Sequence, residues 1–164
     1  MDYIKITLDE PHAIQELSQF AMSIVREHFD PIIGTAQNDY MMERFQTVEA
    51  IKKQLKDGYQ YYVIRDAKQK RIGFLAFYRR KDEMYLSKFY LQKEQRGKGF
   101  SKDMLQFVIE QTKKEGLSSI TLNVNRENDA ALAYEKLGFV KVREEKNDIG
   151  NGFFMDDFVY EYVM

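Results

Sequence analysis

Apolar and polar positions along this chain change period several times, and each change marks an element. Residues 3–8 alternate, with Ile4, Ile6 and Leu8 set between Tyr3, Lys5 and Thr7, which predicts a strand. Pro11 suits a first helical turn, and Ile14, Leu17, Ala21, Ile24 and Val25 then recur at helical spacing. This helix is expected to stop before Asp30-Pro31, with a loop over residues 32–36. Residues 38–45 and 47–56 predict two further helical pieces, the second capped by Thr47. Met41, Met42 and Phe45 serve core packing more readily than a partner-binding stripe or a substrate wall, because methionine fills irregular space.

Residues 59–65, 72–78 and 83–91 read as strands, joined through the polar connections 66–71 and 79–82. Short connections between successive strands imply an antiparallel meander. From Ser101 the period becomes helical again through Met104, Leu105, Val108, Ile109 and Thr112, and Gly116 is placed to end that helix. Residues 119–124 alternate as a strand, which the intervening helix makes parallel to the one before it. Asn128 then caps a short helix with Ala130, Ala133, Tyr134 and Leu137 on one face and Gly138 as its stop. Two strands, residues 139–145 and 153–164, flank a turn-rich connection at 147–152. The expected fold is α/β (mixed α+β), a mixed, mostly antiparallel sheet of about seven strands flanked by helices. No repeat or interdomain linker interrupts it, so residues 1–164 are expected to form a single domain.

Composition narrows the function. Twelve Phe and 11 Tyr support a packed core, and a net charge of -1 gives no field that favours nucleic acid or an anionic membrane. The absence of cysteine removes disulfides, thiolate metal sites and a cysteine nucleophile together. Only His12 and His28 are present; both are expected to be structural or surface residues, and no metal site is expected. His28-Phe29-Asp30 also lacks the His-x-x-x-Asp spacing of one acyltransferase class. Met1-Asp2-Tyr3-Ile4-Lys5 has no apolar signal core, and no run approaches the roughly 18 apolar residues of a membrane span, so a cytoplasmic protein is expected.

The most informative stretch joins the meander to the next helix: Phe89, Tyr90 and Leu91 run into Gln92-Lys93-Glu94-Gln95-Arg96-Gly97-Lys98-Gly99-Phe100-Ser101. Two glycines at a helix start, with Arg96, Lys98 and Lys102 around them, bring unpaired N–H groups, the positive helix end and cationic side chains to one place. Such a turn suits an anion, above all a phosphate. A Walker loop is excluded because Gly97-Lys98 is followed by Gly99, and a dinucleotide fingerprint is excluded because Lys102 stands where its third glycine belongs. What remains, Arg96-x-x-Gly99-x-Ser101, resembles the pyrophosphate motif Gln/Arg-x-x-Gly-x-Gly/Ala of the GNAT superfamily of acetyl-CoA-dependent N-acetyltransferases, with Ser101 in place of the usual Gly or Ala. Asn125, Asn128, Ala131, Tyr134 or Glu135, Gly138 and Phe139 resemble the later motif of that superfamily, in the right order and at the usual separation.

The resemblance, which covers roughly residues 59–139, implies a GNAT-like sheet and acetyl-CoA as co-substrate, with no metal. It implies that the backbone of Phe89 and Leu91 holds the pantetheine arm and that Arg96, Gly97, Lys98, Gly99, Phe100 and Ser101 hold the pyrophosphate. Asn128 and Ala131 also fall among its cofactor-binding positions, and Tyr134 matches the tyrosine that many members use as general acid. A small-molecule or peptide amine is the implied acceptor, nucleic acid and membrane are not partners, and a homodimer is compatible with it. The layout likewise implies that the helices after the first strand help form the acceptor site.

Acetyl transfer sets its own demands. An alkylammonium of pKa about 10.4 must lose a proton, at a cost of roughly 4 to 5 kcal/mol at pH 7. Protonation of a thiolate of pKa near 8.5 by a phenol of pKa about 10 is uphill by only about 2 kcal/mol, which a positioned Tyr134 can supply. For the base, Glu83, Asp156, Asp157 and a water relay are all open, while Ser87 and Lys88 are not expected to be catalytic. A non-catalytic acyl-CoA-binding module is the alternative reading, and a nucleic-acid phosphate site is a third that the net charge disfavours.

Overall fold

The computed structural model describes residues 1–164, save the side chains of residues 28–32. The elements run β1 (Asp2–Ile6), α1 (Pro11–Ile33), α2 (Thr35–Phe45), α3 (Val48–Lys56), β2 (Gln60–Arg65), β3 (Arg71–Arg80) and β4 (Glu83–Leu91). After a turn of 3₁₀ helix at Lys93–Gln95 come α4 (Phe100–Lys114), β5 (Ser119–Asn125), α5 (Ala130–Lys136), β6 (Val140–Gly150) and β7 (Phe153–Val163). The strands form one seven-stranded sheet in the order β1-β2-β3-β4-β5-β7-β6, mostly antiparallel, with five α-helices. The mixed α/β expectation therefore holds, including the parallel pair, in which Met84 faces Ile120 and Tyr85 faces Thr121.

Two compact units divide the chain. The first comprises Met1–Tyr78 and Lys88–Lys98, the second Arg79–Ser87 and Gly99–Met164. In the first unit the expected stripe of α1 is buried, with Ile14, Leu17 and Ala21 fully enclosed, and it packs with Met42, Ile51, Tyr61, Val63, Phe74 and Ala76 in one core cluster. Met42 is thus core, as its residue type suggests. β1 is shorter than expected because Thr7 leaves the strand: its N–H and Oγ1 both donate to Oε1 of Glu10, at 3.1 and 2.9 Å, at the entry to α1. α1 also runs past Asp30-Pro31, where the sequence expects it to stop. Gly34, with φ 85, supplies the break instead, a conformation glycine adopts at little cost, so the expected loop shrinks to one residue. His12 is exposed, while the expectation for the His28 side chain lies outside the described residues.

In the second unit, Met104, Leu105, Val108 and Ile109 of α4 are buried, as are Ile120, Leu122 and Val124 of β5. Gly116 ends α4 as expected, at φ 74. The turn-rich stretch before β7 is a correction. β6 continues to Gly150, with Asn147 opposite Met155 and Asp148 opposite Phe154, and the reversal is made by Asn151 and Gly152 alone. Both have positive φ, 54 and 77, the backbone of a two-residue hairpin turn whose twist matches the strands. β6 lies at the end of the strand order and is exposed along most of its length.

Candidate active site

β4 ends where its neighbour forces a close approach. A Cβ on Gly73 of β3 would stand 2.4 Å from the carbonyl oxygen of Tyr90, so only glycine fits there. The Gln92 N–H donates to the carbonyl of Ile72 at 2.8 Å and closes the pairing. Within this end of β4, Phe89 is half-buried and Leu91 buried. The chain then turns: Arg96 sends Nη2 back to the Leu91 carbonyl at 3.4 Å, and Lys98 Nζ reaches Gln95 Oε1 at 3.5 Å.

The two glycines of the turn are left-handed, Gly97 at φ 77 and Gly99 at φ 81, and Gly99 is the N-cap of α4. A Cβ on either would meet no atom within 4 Å. The backbone path and not crowding therefore requires glycine at both positions. Gly99 brings no side-chain oxygen to the first N–H groups of α4, which leaves them to an anion. Arg96 and Lys98, which precede the start of α4 in the chain, and Lys102, which follows it, are exposed, and Phe100 and Ser101 are half-buried.

The later motif folds as a tight entry into α5. Asn128, nearly buried, accepts at Oδ1 from the Ala130 N–H at 2.9 Å, and its own N–H donates to the Asn125 carbonyl at 2.9 Å. It caps the helix through an Asx turn from one position earlier than expected, since Asp129 stands at the N-cap. The expected apolar face of α5 is not a buried one. None of its residues is buried, Ala133 is exposed and Ala130 and Leu137 are only half-buried. Tyr134 is likewise half-buried; its ring meets Phe139 edge-on at 5.7 Å, and its carbonyl accepts from the Phe139 N–H at 3.0 Å. Ala131 is half-buried one turn earlier.

The carboxylates offered as bases separate clearly. Glu83 is paired with Arg80 at 3.0 Å, and Asp156 with Arg126 at 3.3 Å. Asp157 is buried and among the described residues has no ion pair; its Oδ2 accepts from Nδ2 of Asn123 at 3.3 Å. Burial pushes the Asp157 carboxyl up, against the Asn123 hydrogen bond that lowers it, and the charges of Asp156 and Glu145 raise it further. Asn123 also donates to Oε2 of Glu145 at 3.3 Å and accepts from the hydroxyl of Tyr85 at 3.0 Å. Burial also pushes Glu145 up, but hydrogen bonds from Arg143, Asn123 and Asn147 outweigh it and leave the carboxyl below its ordinary value.

Sequence reasoning set Lys88 aside as non-catalytic and did not foresee its burial. Lys88 of β4 is 4% exposed and donates to the Phe45 carbonyl at 2.8 Å, Gln46 Oε1 at 2.9 Å, Gln54 Oε1 at 3.2 Å and the Tyr61 hydroxyl. Among the described residues no carboxylate bonds to it, and burial pulls its ammonium down to about 7. The signal for its burial was present in the alternation of Met84, Leu86 and Lys88.

An acetyltransferase (GNAT) domain family model matches residues 26–155. The chain belongs to the GNAT acetyltransferase family. GNAT members also supply its structural neighbours. A Thermoplasma acidophilum PaiA N-acetyltransferase in complex with coenzyme A is 17% identical over 100% of both chains, with a TM-score of 0.75. A Staphylococcus aureus Mu50 GNAT acetyltransferase is 22% identical, covering 99% of this chain and 98% of that one, TM-score 0.67. A spermidine N-acetyltransferase chimera of Vibrio cholerae SpeG and hSSAT is 19% identical over 99% and 96%, TM-score 0.65. No curated protein matches the chain. The GNAT protein described here is an acetyltransferase; among its described residues no helix is long and apolar enough to cross a membrane.

Proposed function

We propose that residues 1–164 form one N-acetyltransferase domain that moves the acetyl group of acetyl-CoA directly to a primary amine, within a ternary complex and in the cytoplasm. The observation that carries this reading is the turn after β4, where left-handed Gly99 begins α4 without a side-chain cap and the exposed Arg96 and Lys98 precede it along the chain. Those features fit a pyrophosphate. Acetyl-CoA supplies the thioester that makes its acyl carbon open to attack by an amine.

The chain's own residues do the rest. The backbone of Phe89 and Leu91 lines the pantetheine arm, residues 96–101 receive the pyrophosphate, and Asn128 and Ala131 shape the entry to α5 beside it. Asp157, the one candidate carboxylate without an ion pair among the described residues, takes the proton of the acceptor ammonium, and its raised affinity for protons suits that role. The amine nitrogen bonds to the acyl carbon as the carbon–sulfur bond breaks, and that nitrogen sheds its second proton to solvent. Tyr134 then gives its phenolic proton to the departing thiolate and recovers one from solvent. A small-molecule or peptide amine is the acceptor; likeness to the spermidine N-acetyltransferase chimera supports this class without choosing a member.

The test exploits the absence of cysteine, which makes every thiol detected in the assay a released CoA. Polyamines, amino acids, aminoglycosides and peptides with free N-termini are offered with acetyl-CoA, and binding is followed by calorimetry. Gly99→Glu is expected to lose at least tenfold in acetyl-CoA affinity, and Tyr134→Phe to keep that affinity while its turnover falls. Saturable binding with no CoA release for any amine would leave a binding module, and full affinity in Gly99→Glu would refute the loop assignment.

A further inference from the structure

Lys88 is the feature of the first unit that the reaction above does not use. Its four oxygen partners lie 27 to 43 residues away in the chain, on the last residue of α2, the α2–α3 link, α3 and β2. Phe45 and Gln46 form the heart of that arrangement. The Phe45 carbonyl accepts from Lys88 Nζ and from Gln54 Nε2, the latter at 3.2 Å. The Gln46 carbonyl accepts from the Ser18 hydroxyl of α1 at 2.6 Å, while its side chain accepts from Lys88. Tyr61 donates in turn to Gln54.

A buried ammonium surrounded only by neutral oxygens is costly, and a methionine of similar length would fill the same space without that cost. The lysine is suited to something a methionine cannot do: it places three N–H donors and a positive charge on the carbonyl end of α2, where the helix dipole favours them. It is enclosed by these partners, with 4% exposure, so it is not placed to act on a substrate. The next residues of its strand, Phe89 to Leu91, are those proposed above to line the pantetheine, and α2 and α3 are the helices expected to border the acceptor. Both ends of this connection lie in the same compact unit.

We infer that Lys88 is a positioning residue that locks the α2–α3 link onto β4 and so fixes the acceptor wall against the strand that carries the thioester. This rests on the acetyltransferase reading, and the experiment has two arms so that the two ideas fail separately. In the first, amide hydrogen exchange is compared in wild type, Lys88→Met and Tyr61→Phe. Exchange over residues 46–50 is expected to accelerate at least tenfold in Lys88→Met, and less in Tyr61→Phe, with β2 and β3 unchanged. In the second, spermidine and a peptide with a free N-terminus serve as probe amines. KM for the amine is expected to rise about tenfold in Lys88→Met, with kcat and the KM for acetyl-CoA within twofold of wild type.

Unchanged exchange over residues 46–50, or acceleration spread evenly through the unit, would overturn the inference, as would kcat and KM changing together. If wild type acetylates neither probe, the activity reading is what fails, and the exchange arm alone judges Lys88. If Lys88→Met does not fold, Tyr61→Phe, which keeps the ring and loses one hydroxyl, is judged by the same criteria.

Discussion

Among the described residues, Lys88 in the first unit and Asp157 in the second are buried without an ion pair, and the two are furnished differently. Lys88 in the first unit has four oxygens within reach of three N–H donors, so every proton of its ammonium has a partner. Asp157 in the second accepts, among the described residues, a single side-chain hydrogen bond, from Asn123, and has the charges of Asp156 and Glu145 acting on it. Burial drives both toward neutrality, the lysine down and the aspartate up. A saturated group resists change and holds neighbours in place, whereas an under-supplied carboxylate still seeks a proton. Hydrogen-bond accounting thus separates a group suited to anchoring from one suited to taking a proton.

Stability against pH breaks this comparison most sharply. The Lys88 ammonium titrates near 7 when folded and near 10.5 when unfolded. Between those values the unfolded chain holds a proton that the folded chain has lost, so stability rises with pH across that window and is flat below it. The full gap corresponds to on the order of 4 to 5 kcal/mol. Urea unfolding of wild type and Lys88→Met, at about pH 7 and about pH 9.5, is expected to show wild type gaining about 3 kcal/mol relative to the variant. A flat difference would mean that Lys88 carries a counter-charge, and the contrast with Asp157 would fall.

Removing one neutral partner from each group is a milder probe. Asn123→Ala takes from Asp157 its amide donor, and a hydrogen bond to a charged group is worth roughly 1.5 to 3 kcal/mol. Gln46→Ala takes from Lys88 one acceptor of four, for which about 1 kcal/mol is expected. Equal losses in chemical denaturation would show that Asp157 is supplied as well as Lys88.

What the sequence made legible follows the same division between local and distant causes. The bounds of β4, the glycine-opened turn and the start of α4 depend on period, turn residues and helix-end chemistry within about a dozen neighbours, and those were readable. Lys88 alternates with Met84 and Leu86, so its inward face was readable too, but a lysine is ordinarily exposed and its acceptors lie 27 to 43 residues away. Asn123 and Asp157 are likewise 34 residues apart, joined only when β5 and β7 pair. The connection before β7 was overdrawn for a different reason. Asn147, Asp148 and Gly150 are all turn formers, and pairing with β7 holds them in the strand while Asn151-Gly152 makes the turn.

The smallest expected effect has the opposite sign from the others. The folded Asp157 carboxyl binds its proton more tightly than the ordinary 3.8. As pH rises from 3.8 the unfolded chain releases that proton first, so this group costs stability above that value and none below it. Asp157→Asn keeps the shape and removes the charge, and is expected to stabilise the protein modestly at pH 7, with the difference closing as pH falls to the ordinary 3.8. The same variant loses the proton acceptor, so acetyl transfer should slow while the fold becomes firmer, the opposite of what Lys88→Met does to an anchor. Thermal unfolding and CoA release measured on one preparation check both halves. A variant that is more stable and equally active would leave Asp157 a burdensome bystander and return the base to a water relay.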